Sequence, residues 1–125
     1  MINRLLTIGF LIFLIVSCEE EKETIGHFEI ENRTKNTIDS LRIVPRGYES
    51  DYYISISPGK IKKYDCNMTD IADADGEYKL DYKFDTSSFV SETFGYYTNG
   101  YQIEEKIIII FEMDSIRYDP ELKDY

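Results

Sequence analysis

The sequence predicts an all-β sandwich, on the strength of three observations. Short apolar segments bounded by Gly, Pro, Asn or Asp recur at about ten-residue intervals after residue 25. Several of them alternate apolar and polar residues with the period of a half-buried strand, most clearly Tyr78–Phe84. No segment in this range has the periodicity of a long helix. Seven or eight strands are therefore expected, with an up-and-down barrel as the alternative arrangement.

The individual strands follow from local sequence. The residues Ser57-Pro58-Gly59-Lys60 have the pattern of a type II turn and predict a hairpin between the strands on either side. Thr98-Asn99-Gly100 predicts a second hairpin turn. The apolar run Ile107–Phe111 indicates a central strand buried on both faces, and Pro120 is expected to end the last strand. In chain order, strands are expected over residues 27–31, 40–44, 52–57, 61–66, 78–84, 89–97, 106–111 and 115–118.

The first 17 residues have the features of an export signal. Arg4 and the α-amino group form a positive head, and Leu5–Val16 is an uncharged, mostly apolar run. This run is shorter than the roughly 20 residues of a membrane-spanning helix, but it fits the apolar region of a signal peptide. Residues 1–17 are therefore predicted to be a cleaved signal peptide, residues 18–24 a tether that begins with acidic side chains, and residues 25–125 the folded domain.

The end of this signal carries a more specific resemblance. Ile15-Val16-Ser17-Cys18 resembles the lipobox of bacterial lipoproteins. The resemblance implies cleavage between Ser17 and Cys18, a diacylglycerol on the Cys18 thiol, and acylation of the new amine by a chain such as palmitate. Several acyl chains on one residue form a durable anchor, whereas one chain binds marginally. The alternatives are a secreted protein with a cysteine near its cleavage site and an N-terminal membrane anchor.

The rest of the chain resembles a class of small outer-membrane lipoproteins of the Bacteroidota, many with immunoglobulin-like antiparallel sandwiches. The resemblance is carried by "FEIENRTKNTIDSLRI", "SPGK", "DGEYKL" and "FGYYTNG". It implies an immunoglobulin-like β-sandwich and no catalytic residues. In this class, acidic residues after the lipidated cysteine resemble a signal for export to the cell surface, so Glu19, Glu20 and Glu21 imply an outward-facing protein. The alternative is a charged spacer on a protein that faces either side of the membrane.

Charge and cysteine content exclude several classes of partner. Without residues 1–17 the chain loses Arg4, which leaves 24 acidic and 14 − 1 = 13 basic side chains, a net charge of −11. Such a chain does not suit nucleic acid or an anionic lipid surface, so the lipid on Cys18 is the expected membrane contact. With Cys18 acylated, Cys66 has no disulfide partner and is expected to be a small buried side chain.

Candidate chemistry is sparse. The acidic segment Asp70–Glu77 fits half of a calcium loop, but Ile71 and Tyr82 stand at ligand positions, so we interpret it as an acidic turn. A single histidine, His27, does not make a zinc site, and its pairing with Cys66 as a nucleophile is a formal alternative. No metal, cofactor or catalytic residue is predicted, and the protein is expected not to be an enzyme, with a hydrolase as the alternative.

Tyrosines mark the predicted binding surface. Tyr96, Tyr97, Asn99 and Tyr101 lie on the second hairpin, where tyrosines can stack on sugar rings or anchor a protein. Packing within the sheet is the alternative role, and Tyr48, Tyr52 and Tyr53 would extend such a patch. The predicted function is a non-enzymatic binding or accessory module for a protein or glycan. The alternative is a periplasm-facing immunity or inhibitor lipoprotein that neutralises a basic toxin or enzyme.

The lipid anchor gives a direct test. Replacing Cys18 with Ala removes the thiol that the lipid would occupy, so incorporation of labelled fatty acid into the protein is expected to disappear. Ser17→Gly keeps a small residue before the cysteine and is expected to preserve labelling. Fatty acid that still reached the Cys18→Ala protein would contradict the lipobox interpretation.

Overall fold

The computed structural model describes residues 22–124, which form nine β-strands in two sheets. No helix long and apolar enough to cross a membrane occurs in this range. One sheet has the order β4-β1-β8-β9 and the other β3-β2-β5-β6-β7, which confirms the predicted sandwich over the barrel. The strands are β1 (Ile25–Asn32), β2 (Ile38–Pro45), β3 (Ile54–Ile56), β4 (Ile61–Asn67), β5 (Gly76–Phe84), β6 (Val90–Thr98), β7 (Tyr101–Gln102), β8 (Lys106–Phe111) and β9 (Ile116–Glu121).

Two features of the sandwich differ from the sequence-based expectation. The short strand β7 brings the count to nine, and β1 runs parallel to β8, whereas the other strand pairs are antiparallel. The chain between β1 and β8 passes through the second sheet, so no hairpin constrains their relative direction. Ser17, Cys18 and the acidic residues 19–21 lie outside the described residues, and the predictions made for them stay predictions.

The turn at Ser57–Lys60 forms as predicted, but the hairpin around it does not. The Lys60 N–H donates to the Ser57 carbonyl at 3.1 Å, and Gly59 has the positive φ, 76°, that a type II turn requires at this position. However, β3 pairs with β2 and β4 pairs with β1. The turn therefore carries the chain from one sheet to the other. The hairpin prediction is wrong because the residues of a turn determine that the chain reverses direction but not which strands then pair.

Pro120 lies within β9 and does not end it, contrary to prediction. The strand is at the edge of its sheet and pairs only with β8. At the start of this pair the Glu112 N–H donates to the Ser115 carbonyl at 2.8 Å. Because bonding alternates along an antiparallel pair, the backbone nitrogen of Pro120 points away from β8. A proline there removes no ladder hydrogen bond.

The core fills the space between the sheets with aliphatic and aromatic side chains. Phe28 makes edge contacts with Tyr78 and Phe94, at ring-centroid distances of 5.0 and 5.8 Å. The run on β8 is buried as predicted, except for the half-buried Ile108. Fully buried side chains come from both sheets and include Phe28, Ile30, Ile38, Leu41, Ile43, Ile56, Tyr64, Tyr78, Leu80, Ile109 and Phe111.

One buried hydroxyl joins the two sheets along the side where β4 faces β2. Tyr64, on β4, is 1% exposed, and its hydroxyl donates to the Tyr52 carbonyl at 2.8 Å. Burial is the main cause that raises the pKa of Tyr64 to about 12, so the phenol is neutral at physiological pH. The backbone of Ile43, on β2, lies close enough to this hydroxyl to lower its pKa slightly. Tyr64 thus satisfies a backbone carbonyl in the loop that follows β2 of the opposite sheet.

The bridging role of Tyr64 predicts a loss of stability in Tyr64→Phe. The substitution keeps the ring but leaves the Tyr52 carbonyl without this partner, which is expected to lower the free energy of unfolding by about 1–3 kcal/mol. Denaturant unfolding measures this. Tyr101→Phe is the matched control because its side chain is 61% exposed, and equal stabilities of the two variants would contradict the bridging role.

Candidate binding surface

The predicted tyrosine hairpin forms between β6 and β7. Asn99 and Gly100 have φ values of 52° and 78°, as a two-residue hairpin turn with two left-handed positions requires. Tyr96 and Tyr101 are 49% and 61% exposed, respectively. Tyr97 is buried in the core with its ring 5.3 Å from that of Tyr78. Two of the three tyrosines are therefore presented to solvent, and the third packs between the sheets.

An aspartate fixes this hairpin on the loop that precedes β5. The Tyr96 hydroxyl donates to Asp75 Oδ2 at 2.7 Å, and the Asn99 N–H donates to Asp75 Oδ1 at 3.1 Å. These two hydrogen bonds, that of Tyr96 first, lower the pKa of Asp75 below its ordinary value. The Gly100 N–H also donates to the Ala74 carbonyl at 3.0 Å. The hairpin and the loop before β5 are therefore held together, with the Tyr96 and Asp75 side chains side by side on the surface.

The acidic segment Asp70–Glu77 is thus used in part to position the hairpin. Both carboxylate oxygens of Asp75 already accept hydrogen bonds from the hairpin. Within residues 22–124, no three His, Cys, Asp or Glu side chains are grouped so that they could bind a metal ion. The structure therefore contains no cluster of protein ligands for calcium in this range.

A cleft lies beside the hairpin, along the side of the sandwich where β4 faces β2. Its volume is about 380 Å³. The Tyr48 hydroxyl accepts a hydrogen bond from the Ala72 N–H at 2.9 Å and so joins the loop of residues 46–53 to the loop before β5. The lining combines three tyrosines with three carboxylates and a few apolar groups, and none of the described lining residues is Lys or Arg. It comprises Tyr48, Tyr52, Tyr64, Glu49, Asp65, Asp70, Ile43, Val44, Pro45, Ile71, Ser50, Cys66 and Asn67.

The sulfur in this lining is not a reactive thiolate. Cys66 is 5% exposed, as predicted for a small core residue, and burial raises the pKa of its thiol to about 11. His27 pairs in register with Asp65, the residue before Cys66. The His27 Nδ1 lies 3.0 Å from Asp65 Oδ1 on the exposed face of the sheet. Successive residues of a strand point to opposite faces. The structure therefore does not bring His27 and Cys66 together as a catalytic pair.

A buried ion pair, which the sequence did not reveal, positions the loop over the cleft. Arg42 Nε donates to Asp81 Oδ2 at 2.7 Å, and Ser91 donates to the same carboxylate. Burial opposes the charge on Asp81, which is 5% exposed, but the hydrogen bonds from Ser91 and Arg42 outweigh it and lower its pKa. Arg42 also donates to the Ser50 carbonyl at 2.6 Å. This places Tyr52 at the cleft, while the neighbouring Tyr53 lies over the Arg42 guanidinium, 5.2 Å away.

The hairpin and the cleft share the end of the sandwich at which the described chain begins. The Thr24 N–H donates to Thr69 Oγ1 at 2.9 Å, and the Met68 N–H donates to the Thr24 carbonyl at 2.7 Å. The loop of residues 68–75, which contacts both the hairpin and Tyr48, is therefore bonded directly to the last residue of the predicted tether. Sequence reasoning gave no signal for this proximity, because it arises from strand order.

Comparison with known proteins adds no relative: no protein-family model, curated protein or solved structure matches the chain. The molecule is defined by its own fold and surface, an all-β sandwich with an acidic, tyrosine-lined cleft beside a hairpin.

The bond between Asp75 and the hairpin predicts a specific effect of Asp75→Asn. The folded-state pKa of Asp75 is below its ordinary value of 3.8, so its contribution is present above that value and is lost as the pH falls below it. Amide hydrogen exchange at Asn99 is expected to be faster in Asp75→Asn than in the wild type at neutral pH. Acid should remove this difference.

Asp73→Asn is the matched control for this measurement, because Asp73 is exposed and lies in the same loop. Equal exchange rates at Asn99 in Asp75→Asn and the wild type at neutral pH would contradict the role of the carboxylate.

Proposed function

We propose that the protein is a small lipoprotein of the Bacteroidota type, anchored to the outer membrane through Cys18, that binds a protein or glycan at the cell surface without catalysis of its own. The observation that carries this proposal is the cleft in which Tyr48 and Tyr52 accompany Asp65 and Asp70. The predicted export signal at residues 19–21 and the resemblance to immunoglobulin-like lipoproteins support the location.

The chemistry of the cleft favours a ligand with cationic or hydroxyl groups. Tyrosine faces attract cations and also stack on sugar rings. Carboxylates attract cations and accept hydrogen bonds from sugar hydroxyls. Asp70 forms no ion pair within residues 22–124, whereas Glu49 is shared with Arg42 at 2.8 Å. Asp70 is therefore the carboxylate of the cleft with the most freedom to meet a ligand.

The protonation and placement of the reactive groups support a binding role over an enzymatic one. The Cys66 thiol, with a pKa of about 11, is protonated at physiological pH, and His27 lies on the opposite face of the sheet. A nucleophile needs a base within hydrogen-bond reach. Cys66 and His27 therefore do not form the nucleophile and base that the hydrolase alternative would need.

The position of the cleft narrows the kind of partner. A tether of six residues between Cys18 and the domain reaches at most about 20 Å. Because Thr24 bonds to Thr69, which precedes the cleft residue Asp70, a lipid on Cys18 would place the cleft on the membrane side of the domain. The partner expected there is itself close to the membrane, which suits an accessory subunit of a membrane-bound assembly.

A second function remains open because the acidic surface also suits a basic enzyme. The net charge of −11 without residues 1–17 would accelerate association with a basic toxin or lysozyme-like protein. Such an immunity or inhibitor protein would face the periplasm. Protease treatment of intact cells separates the two functions, because a surface-exposed domain is degraded and a periplasmic one is protected.

Photo-crosslinking tests the cleft as the binding surface. A photoreactive amino acid at Tyr52, in the cleft, is expected to capture a partner in intact cells, whereas the same group at Tyr53, on the outer face over Arg42, is not. Asp70→Asn is expected to reduce capture from position 52 several-fold. A captured glycan would be sensitive to periodate, and a captured protein would not. Equal capture from both positions would contradict the cleft as the site.

A further inference from the structure

Strand β4 has a free backbone edge. It lies at the end of its sheet and pairs only with β1. At the two ends of this pair, the Asn32 N–H donates to the Lys60 carbonyl at 3.0 Å and the Met68 N–H donates to the Thr24 carbonyl at 2.7 Å. Hydrogen-bonded positions alternate along an antiparallel pair. The backbone groups that point away from β1 are therefore those of Ile61, Lys63, Asp65 and Asn67.

Among the other edges, β3 and β7 are only three and two residues long, and those at β9 and at the part of β2 beyond β3 carry local features that β4 lacks. On β9, Pro120 has no N–H at a position that points away from the sheet. On β2, the Pro45 carbonyl, which points away from β5, accepts a hydrogen bond from the Tyr48 N–H at 3.0 Å. Proteins usually protect sheet edges in such ways. Along the edge of β4, Lys63 and Asp65 carry charges of opposite sign, and Ile61 and Asn67 are uncharged.

We propose that the edge of β4 binds β4 of a second copy of this chain. The two strands run antiparallel around a two-fold axis at Tyr64 and join the two four-stranded sheets into one. Since β4 spans Ile61–Asn67, this register overlaps the whole strand. It places Lys63 of each copy opposite Asp65 of the other, and Ile61 opposite Asn67, as hydrogen-bonded pairs with Cα atoms about 5.5 Å apart.

The charges of β4 select this register and favour a second copy as the partner. Moving the axis to Lys63 places two Lys63 side chains opposite each other, and moving it to Asp65 places two Asp65 side chains opposite each other. Like charges directly opposite destabilise a strand pair, and opposite charges stabilise it. Full overlap and charge complementarity thus coincide in one arrangement, and it is a self-complementary one.

The side chains concerned are available for this contact. Lys63 is exposed and forms no ion pair within residues 22–124. The Asp65 side chain is 64% exposed and shares one oxygen with His27. Because Tyr64 and Asp65 also line the cleft, the clefts of the two copies would meet at the dimer axis. The inference does not depend on the proposed function of the cleft.

Disulfide trapping in intact cells tests the register with the full chain. One tagged copy carries Ile61→Cys and a second, differently tagged copy carries Asn67→Cys; a hydrogen-bonded pair is close enough for a disulfide. The two copies are expected to crosslink under mild oxidation. Copies that both carry Ile61→Cys are the matched control, because the two Ile61 positions lie at opposite ends of the proposed β4–β4 pair. Cys66 adds little background, since its thiol is buried.

Charge reversal in the same crosslinking pair tests the selection by Lys63 and Asp65. Lys63→Asp in both copies, or Asp65→Lys in both, is expected to lower the crosslinking yield about tenfold, because each turns two attractive pairs into repulsive ones. Lys63→Asp in one copy and Asp65→Lys in the other restores attraction and is expected to restore the yield. Thermal unfolding of each variant alone checks that the domain remains folded.

Three outcomes would overturn the proposal. One is the absence of a crosslink between positions 61 and 67 in otherwise unchanged copies. Another is a crosslink of equal yield between two copies that both carry Ile61→Cys. The third is a mixture of Lys63→Asp and Asp65→Lys copies that crosslinks no better than either variant with itself.

Discussion

The position of β1 in the middle of its sheet is the constraint on which the arrangement of this molecule depends. β1 pairs antiparallel with β4 and parallel with β8, so both neighbours fix its direction. Its first residues therefore lie beside the end of β4 and the loop that follows, where Thr24 bonds to Met68 and Thr69. The same loop contacts the tyrosine hairpin through Asp75 and the cleft through Ala72. The end at which the chain enters the domain is thus also the end that carries the candidate binding surface.

Polar contacts hold the loop that forms one wall of the cleft. The loop of residues 46–53 is fixed by the ion pair of Arg42 with Asp81 and by the bond from Arg42 to the Ser50 carbonyl. Tyr64 adds a third contact, to the Tyr52 carbonyl. Removing one member of a buried pair leaves an unsatisfied charge and is strongly destabilising. The loop is therefore expected to hold the cleft open before any ligand arrives, which lowers the entropic cost of binding.

The sequence predicted local structure well and long-range assignment poorly. Period-two alternation located the strand Tyr78–Phe84, and the Asn99-Gly100 pair located the hairpin, because both features depend on neighbouring residues. The assignment of β3 and β4 to different sheets depends on contacts between residues far apart in the chain, and no local pattern encodes them. Pro120 was misjudged for the same reason, since its effect depends on whether its strand is at an edge.

The candidate surface was predictable in the same partial way. Tyrosine content drew attention to residues 96–101, but sequence could not show that Tyr97 points into the core while Tyr96 bonds to Asp75. The alternation in Tyr78–Phe84 assigned Asp81 to the polar face of a half-buried strand, whereas its burial depends on Arg42, 39 positions away along the chain. The cleft itself is formed by two loops and two strands from different sheets, so it exists only in the folded chain.

The proposed lipid anchor on Cys18 would make the hairpin and cleft face the membrane. Energy transfer from a single label to an acceptor at the lipid surface tests it most directly, with the full chain in vesicles and the label on Tyr101→Cys or Lys35→Cys. The buried Cys66 thiol should not react with the label. The account predicts stronger transfer from position 101, at the end where the chain enters, than from position 35, in the turn after β1. Equal or stronger transfer from position 35 would contradict it.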